Sequence, residues 1–130
     1  MVIDTSALVA ILSLEPEAAR LAQAIEADPT RLISAATLLE AGIVMEARLG
    51  AAGGKELDLL VAKAGVVVEP LTADQASIAR EAWRRFGKGR HAAALNFGDC
   101  CSYALARATG EPLLFKGTDF ANTDIAAVSY

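Results

Sequence analysis

Aromatic residues are scarce in this chain: four Phe, two Tyr and one Trp among 130 residues. A core must therefore come mainly from Ala, Leu, Val and Ile. Cysteine is scarcer still. Cys100 and Cys101 are adjacent, with no C-x-x-C spacing and no neighbouring histidine, which argues against a zinc site or a disulfide framework. They read as two small apolar helix residues. The one histidine, His91, reads as a surface residue. Gly and Pro are not enriched, which argues against disorder. No run approaches the roughly 20 apolar residues of a membrane span. A secretion signal is not expected, because Asp4 interrupts the first apolar run and no basic segment precedes it. A cytoplasmic location without membrane contact is expected. Excess positive charge is also lacking. The formal net charge of −4 by itself speaks against a polyanionic partner.

What is present is apolar material, 54% of the chain, enough for one domain spanning 1–130 with one core. Met1-Val2-Ile3 is an apolar run that stops at Asp4, followed by Thr5, Ser6 and helix-like sequence. It reads as a buried strand carrying Asp4 to its carboxyl end. In an open α/β sheet that edge is where ligands bind. Helices are expected from Ser6 to Ser13 and from Glu15 to Asp28, then a strand over Arg31–Ser34. A largely buried helix, apolar almost all round, runs from there to Gly50. A turn over Ala51–Gly54 precedes a helix over Lys55–Lys63. Val66-Val67-Val68 reads as a buried parallel strand. Thr72 caps a helix over Ala73–Phe86, a basic loop follows, and Cys100–Ala108 is helical. Leu113-Leu114-Phe115 and Ile125–Val128 are the last strands. Strands separated by helical stretches imply a parallel sheet of about five strands with helices on both faces.

Four acids stand where such a fold would gather them. Asp4 and Asp119 follow strands, Asp99 stands at a helix start after Gly98, and Glu40 lies in an apolar helix with no base at i±3 or i±4. Each has a plainer reading: Asp4 and Asp99 as helix caps, Asp119 as a turn residue. Asp124 reads as a turn or cap residue. The conjunction carries the weight. Crowded carboxylates repel unless a cation resolves the repulsion. An all-oxygen site suits Mg²⁺ or Mn²⁺, which activate water and stabilise charge on a phosphodiester. The hydroxyls of Thr5, Ser6 and Thr118 are placed to support such a shell. Five of the twelve basic residues, Arg80, Arg84, Arg85, Lys88 and Arg90, fall in one stretch opposed only by Glu81. With four acids set aside for a metal, the remaining twelve balance the twelve bases, so the negative net charge does not exclude a polyanion. Arg84, Arg85, Lys88, Arg90 and Lys116 are candidate phosphate contacts, against a plain reading as a solvated face.

Four segments, Met1–Leu8, Ser34–Glu40, Leu95–Ala106 and Leu113–Phe120, together resemble the PIN domain and, more closely, the VapC ribonuclease toxins of bacterial type II toxin–antitoxin systems. The resemblance implies a PIN-like α/β fold and Mg²⁺- or Mn²⁺-dependent endoribonuclease cleavage of structured RNA such as tRNA or rRNA. It also implies inhibition by a cognate VapB-type antitoxin and a homodimer. It maps Asp4, Glu40, Asp99 and Asp119 onto the acidic quartet. Asp4 and Asp99 are then direct metal ligands and Ser6 is the polar residue two positions on. Families vary in where the fourth acid falls, so Asp124 stands as an alternative to Asp119. A competing reading is a non-catalytic binding or phosphoacceptor module of receiver type, which has the same architecture and a late-strand lysine, here Lys116. It needs an acceptor aspartate after a central strand, where this chain has Glu69-Pro70.

Overall fold

A computed structural model describes residues 1–130. The chain runs β1 (Val2–Ile3), α1 (Thr5–Leu12), α2 (Ala18–Ala27), β2 (Leu32–Ser34), α3 (Ala35–Leu49), α4 (Ala51–Lys63), β3 (Val67–Glu69), α5 (Ala73–Phe86), α6 (Phe97–Thr109) and β4 (Leu113–Leu114). A single 3₁₀ turn over Phe120–Asn122 follows. The four strands form one parallel sheet in the order β3-β2-β1-β4.

Alternation along the strands divides the core in two. Val2 and Leu113 face α5 and α6, in a cluster with Ala82, Phe86, Cys100, Tyr103 and Leu105. Ile3, Ile33 and Leu114 face the other way, against Leu8, Leu21, Ala41 and Leu57 of α1 to α4. Helices thus cover both faces. The strands are short because parallel pairing needs only to anchor the crossovers. Their carboxyl ends all point to one edge.

Four local expectations fail, each for a physical reason. The segment after Asp124 joins the sheet only through a bridge between Leu113 and Ala127. Asp124 and Ile125 are held instead by Tyr103 and Thr123, and beyond them only Leu113 of the two-residue β4 pairs with the segment. β3 is the edge strand, so Val67 and Val68 are exposed rather than buried. The turn at Ala51–Gly54 is helical. Only Gly50 turns the chain, at φ +65°, and Gly53 and Gly54 are contact glycines. A Cβ on Gly53 would overlap the Met45 carbonyl, and one on Gly54 would press on the Glu46 side chain. Finally, α3 is not buried all round. Leu39 and Ile43 are 66% and 61% exposed, because α3 packs on α1, α4 and α6 from one side and nothing in the chain covers the other.

Candidate metal centre

Asp4 leaves β1 in extended backbone and is almost fully buried, at 2% exposed. It caps α1 and more. The Ser6 amide and hydroxyl donate to Asp4 Oδ2 at 2.9 and 2.7 Å. The Ser102 hydroxyl donates to Oδ1 at 2.6 Å. Since Ser102 has spent its proton there, Thr37 Oγ1, 3.0 Å from Ser102 Oγ, is the donor of that pair. A buried relay of hydroxyls from α3 and α6 therefore aims Asp4. Ser6 also reaches the far end of the chain. Its Oγ accepts from the Lys116 amide at 3.0 Å, tying the exit of β4 to the start of α1.

Glu40 rises from the second turn of α3. Its partner is a hydroxyl rather than a base: Thr5 Oγ1 donates to Oε2 at 2.6 Å. The carboxylate lies on the backbone of α6 at Gly98, where an added Cβ would overlap both of its oxygens. Absence of a side chain at 98 is therefore what lets α3 bring Glu40 beside Asp99.

Asp99 is at the third position of α6, which begins at Phe97 and not at Cys100. Asn96 is the cap, and the pair forms a capping box: the Asp99 amide donates to Asn96 Oδ1 at 2.9 Å and the Asn96 amide to Asp99 Oδ2 at 2.8 Å. Burial pushes the Asp99 carboxyl up to about 7, and the negative charges of Asp4, Asp119 and Glu40 push the same way. Asp99 thus lies within electrostatic reach of the other three acids. No Lys, Arg or N-terminal ammonium pairs with any of them. Asp119 is exposed, at the start of the 3₁₀ turn, and its side chain makes no capping hydrogen bond.

Asp124 is set apart. It accepts from Tyr103 Oη at 2.6 Å and from Arg85 at 2.9 Å, and the tyrosine hydroxyl above all holds its carboxyl below the usual range. It is a structural tether of the C-terminal segment. Thr118, expected to support the acids, gives only its carbonyl to Ala121 and Asn122, and its hydroxyl makes no hydrogen bond. The basic set also divides. Arg84 pairs with Glu81, Arg85 with Asp124, and Lys116 with Glu15 and Glu17. Lys88 and Arg90 have no carboxylate partner, and the Arg90 guanidinium lies over the Trp83 ring, 4.2 Å from its centroid.

The donor set fits a hard divalent cation: carboxylates only, uncompensated, at the carboxyl edge of a parallel sheet. The acids form an open cluster and not a closed cage; no three acidic, His or Cys side chains converge on one point. Local hydrogen bonds hold Asp4, Glu40 and Asp99 each at its own station. Ser102 and Thr37 are neighbours of the acids that sequence reasoning passed over, and Gly98, read there only as preceding Asp99, carries the Glu40 carboxylate against its backbone. The available signal was spacing: Ser102 is three residues after Asp99, and Thr37 three before Glu40, each on the same helix face as its acid.

The PIN domain family profile matches residues 1–126. The VapC ribonuclease Mb0640 of Mycobacterium bovis is 59% identical over 129 residues, covering 99% of this chain and 98% of that protein. A ribonuclease VapC of Mycolicibacterium smegmatis is 59% identical over 128 residues, covering 98% and 99%. Among solved structures, the Mycobacterium tuberculosis VapC20, described as a sarcin-ricin loop cleaving toxin, superposes with a TM-score of 0.80 at 21% identity over 99% of this chain and 98% of that one. A chain of a toxin–antitoxin complex from Klebsiella pneumoniae gives 0.73 at 21% identity, covering 99% and 97%.

Proposed function

The chain belongs to the PIN-domain family, among the VapC ribonuclease toxins, and on that footing we propose that it is a metal-dependent endoribonuclease acting in the cytoplasm as one domain over 1–130. The observation that carries the reading is the clustering of Asp4, Glu40, Asp99 and Asp119 without a base. Asp4 and Asp99 would hold Mg²⁺ or Mn²⁺, which lowers the pKa of water and stabilises charge on the phosphate. The chain's own residues prepare that site. Ser6 and Ser102 fix both oxygens of Asp4, and Thr5 and Gly98 fix Glu40. Glu40 and Asp119 accept hydrogen bonds from the attacking water. Water oxygen bonds to phosphorus, the bond to the departing ribose oxygen breaks, and that oxygen leaves as a hydroxyl with one of the water protons. Lys88 and Arg90 are the phosphate contacts.

The substrate is a structured RNA, a tRNA or an rRNA, and a cognate VapB-type antitoxin holds the enzyme inactive. The toxin relatives and the toxin–antitoxin neighbour support this partner. Leu39 and Ile43, one helical turn apart, support a homodimer through the open face of α3. No helix is long and apolar enough to cross a membrane. The receiver-type alternative has no observation in its favour. β3 ends at Glu69, and Lys116 is engaged by Glu15 and Glu17 rather than by the acids.

The deciding experiment incubates purified protein with total tRNA and rRNA in Mn²⁺ or Mg²⁺. Discrete cleavage is expected, halted by EDTA and absent in Asp4→Asn and Asp99→Asn. Equal cleavage by wild type and both variants would remove the site assignment.

A further inference from the structure

The two most exposed of the seven aromatic residues in this chain stand together beside the acids. Phe97 is 78% exposed on the first turn of α6 and Trp83 41% exposed on α5, whereas Phe86, Tyr103, Phe115 and Phe120 are in the core. Between the two helices lies an open groove of about 360 Å³, lined by Leu71, Ala79, Arg80, Trp83, Phe97 and Cys100 among others. No acid lines it, but the acids are close along the chain: Phe97 precedes Gly98, whose backbone the Glu40 carboxylate lies against.

Two cations serve this groove. Arg80 is in its wall and Arg90 lies over the Trp83 ring. Neither is paired with a carboxylate. Flat apolar surface, exposed rings and unpaired guanidiniums are the combination that holds an unpaired base and its phosphates. An apolar lining alone would suit a protein as well. The free arginines, and the Glu40 carboxylate at Gly98 beside Phe97, favour RNA.

We propose that the groove between α5 and α6 is a nucleobase subsite. A base next to the cleaved phosphodiester leaves its helical stack and lies against Phe97 and Trp83, while Arg80 and Arg90 meet the flanking phosphates. This inference rests on the RNA-cleaving reading above. It adds that the enzyme requires an unpaired base at the cut and selects for it through Phe97.

Trp83 is the only tryptophan, so its fluorescence reports on this groove without a label. The probes are a single-stranded mixed-sequence oligoribonucleotide and an abasic oligonucleotide of equal length. Each is titrated into Asp4→Asn protein and, separately, into wild type in EDTA, so that a folding defect in one arm leaves the other. Quenching by RNA and not by the abasic strand is expected. Phe97→Ala should weaken RNA binding about 10-fold, the weight of one base–aromatic stack. Phe97→Tyr should restore it. In metal, Phe97→Ala should raise KM more than it lowers kcat.

Equal quenching by both strands overturns base stacking. Unmoved Trp83 fluorescence at saturating RNA overturns the subsite even if RNA is cleaved. A change in Trp83 emission with protein concentration, with none from RNA, assigns the groove to a second copy and also overturns it. If wild type cleaves no RNA in Mn²⁺, the parent reading fails, and quenching still decides what the groove binds.

Discussion

The two ends of β1 handle charge in opposite ways. At its start, the Met1 ammonium is buried with the side chain and meets Glu111 Oε2 at 2.8 Å, Asp28 Oδ2 at 3.2 Å and the Thr30 carbonyl. At its end, Asp4 is equally buried but has only hydroxyls and one amide for company, and it lies within electrostatic reach of Asp99. The length of one short strand separates a neutralised cluster from an unneutralised one. The first arrangement serves stability, since a buried charge left alone is costly. The second keeps negative charge unspent, at a cost in stability, where a cation is to be held.

The comparison breaks most sharply if the unneutralised end is silenced. Asp4→Asn or Asp99→Asn should lower RNA cleavage by about 10³-fold or more, on the scale of losing a preorganised electrostatic group; single-turnover assays on a fixed RNA read this directly. A smaller effect is expected one layer out. Ser102→Ala frees one oxygen of Asp4 and should weaken Mn²⁺ binding, measured by calorimetry, by about 10- to 100-fold. Its thermal midpoint should fall by no more than the few degrees that about 1 kcal/mol represents in a domain of this size.

Gly98→Ala tests how the acids are brought together. The obstacle it meets is the end of a flexible side chain, so displacement of Glu40 should cost activity, about 10-fold, more than stability. The double variant Gly98→Ala with Glu40→Ala should lose no more activity than Glu40→Ala alone. A further additive loss would mean that Gly98 acts independently of Glu40.

Next comes pH. The folded-state pKa of Asp99, about 7, lies above its ordinary value of 3.8. Between those values the folded chain keeps a proton that the unfolded chain has released. The contribution of this group to stability therefore falls as pH rises through that window and is flat above it. In EDTA, the stability of wild type relative to Asp99→Asn should decline from about pH 4 to about pH 7. Denaturant midpoints at each pH show it, and parallel curves for the two proteins would refute it. Smallest is the effect at the neutralised end. Glu111→Gln leaves the ammonium with Asp28 and should cost less than about 1 kcal/mol, with cleavage unchanged.

Much of the acid cluster was legible in the sequence because it breaks local rules. Asp4 ends an apolar run, and Glu40 interrupts an apolar helix without a base in reach. What was not legible obeys local rules. Ser102 looks like any small residue in a helix of Ala and Cys, and only the approach of β1 gives its hydroxyl a purpose. Asp119 and Asp124 are alike in a turn-rich segment, and Tyr103 and Arg85, distant in sequence, separate them. The helix at Gly53-Gly54 escapes a sequence reading because two glycines signal a turn unless the neighbouring helix comes close enough to require them. The apolar pattern of α3 tells which residues avoid water, but not whether their cover comes from this chain.

The hydrogen bond from the Lys116 amide to Ser6 spans 110 positions, and β1 lies between the early β2 and the late β4. The acids themselves run from Asp4 to Asp119. No fragment short of that last loop holds the whole cluster, however well its first strands and helices have formed. Completion of the site thus requires the C-terminal part of the chain. A partly made chain, or one clipped before β4, carries most of the architecture while lacking the full set of groups that would make it dangerous.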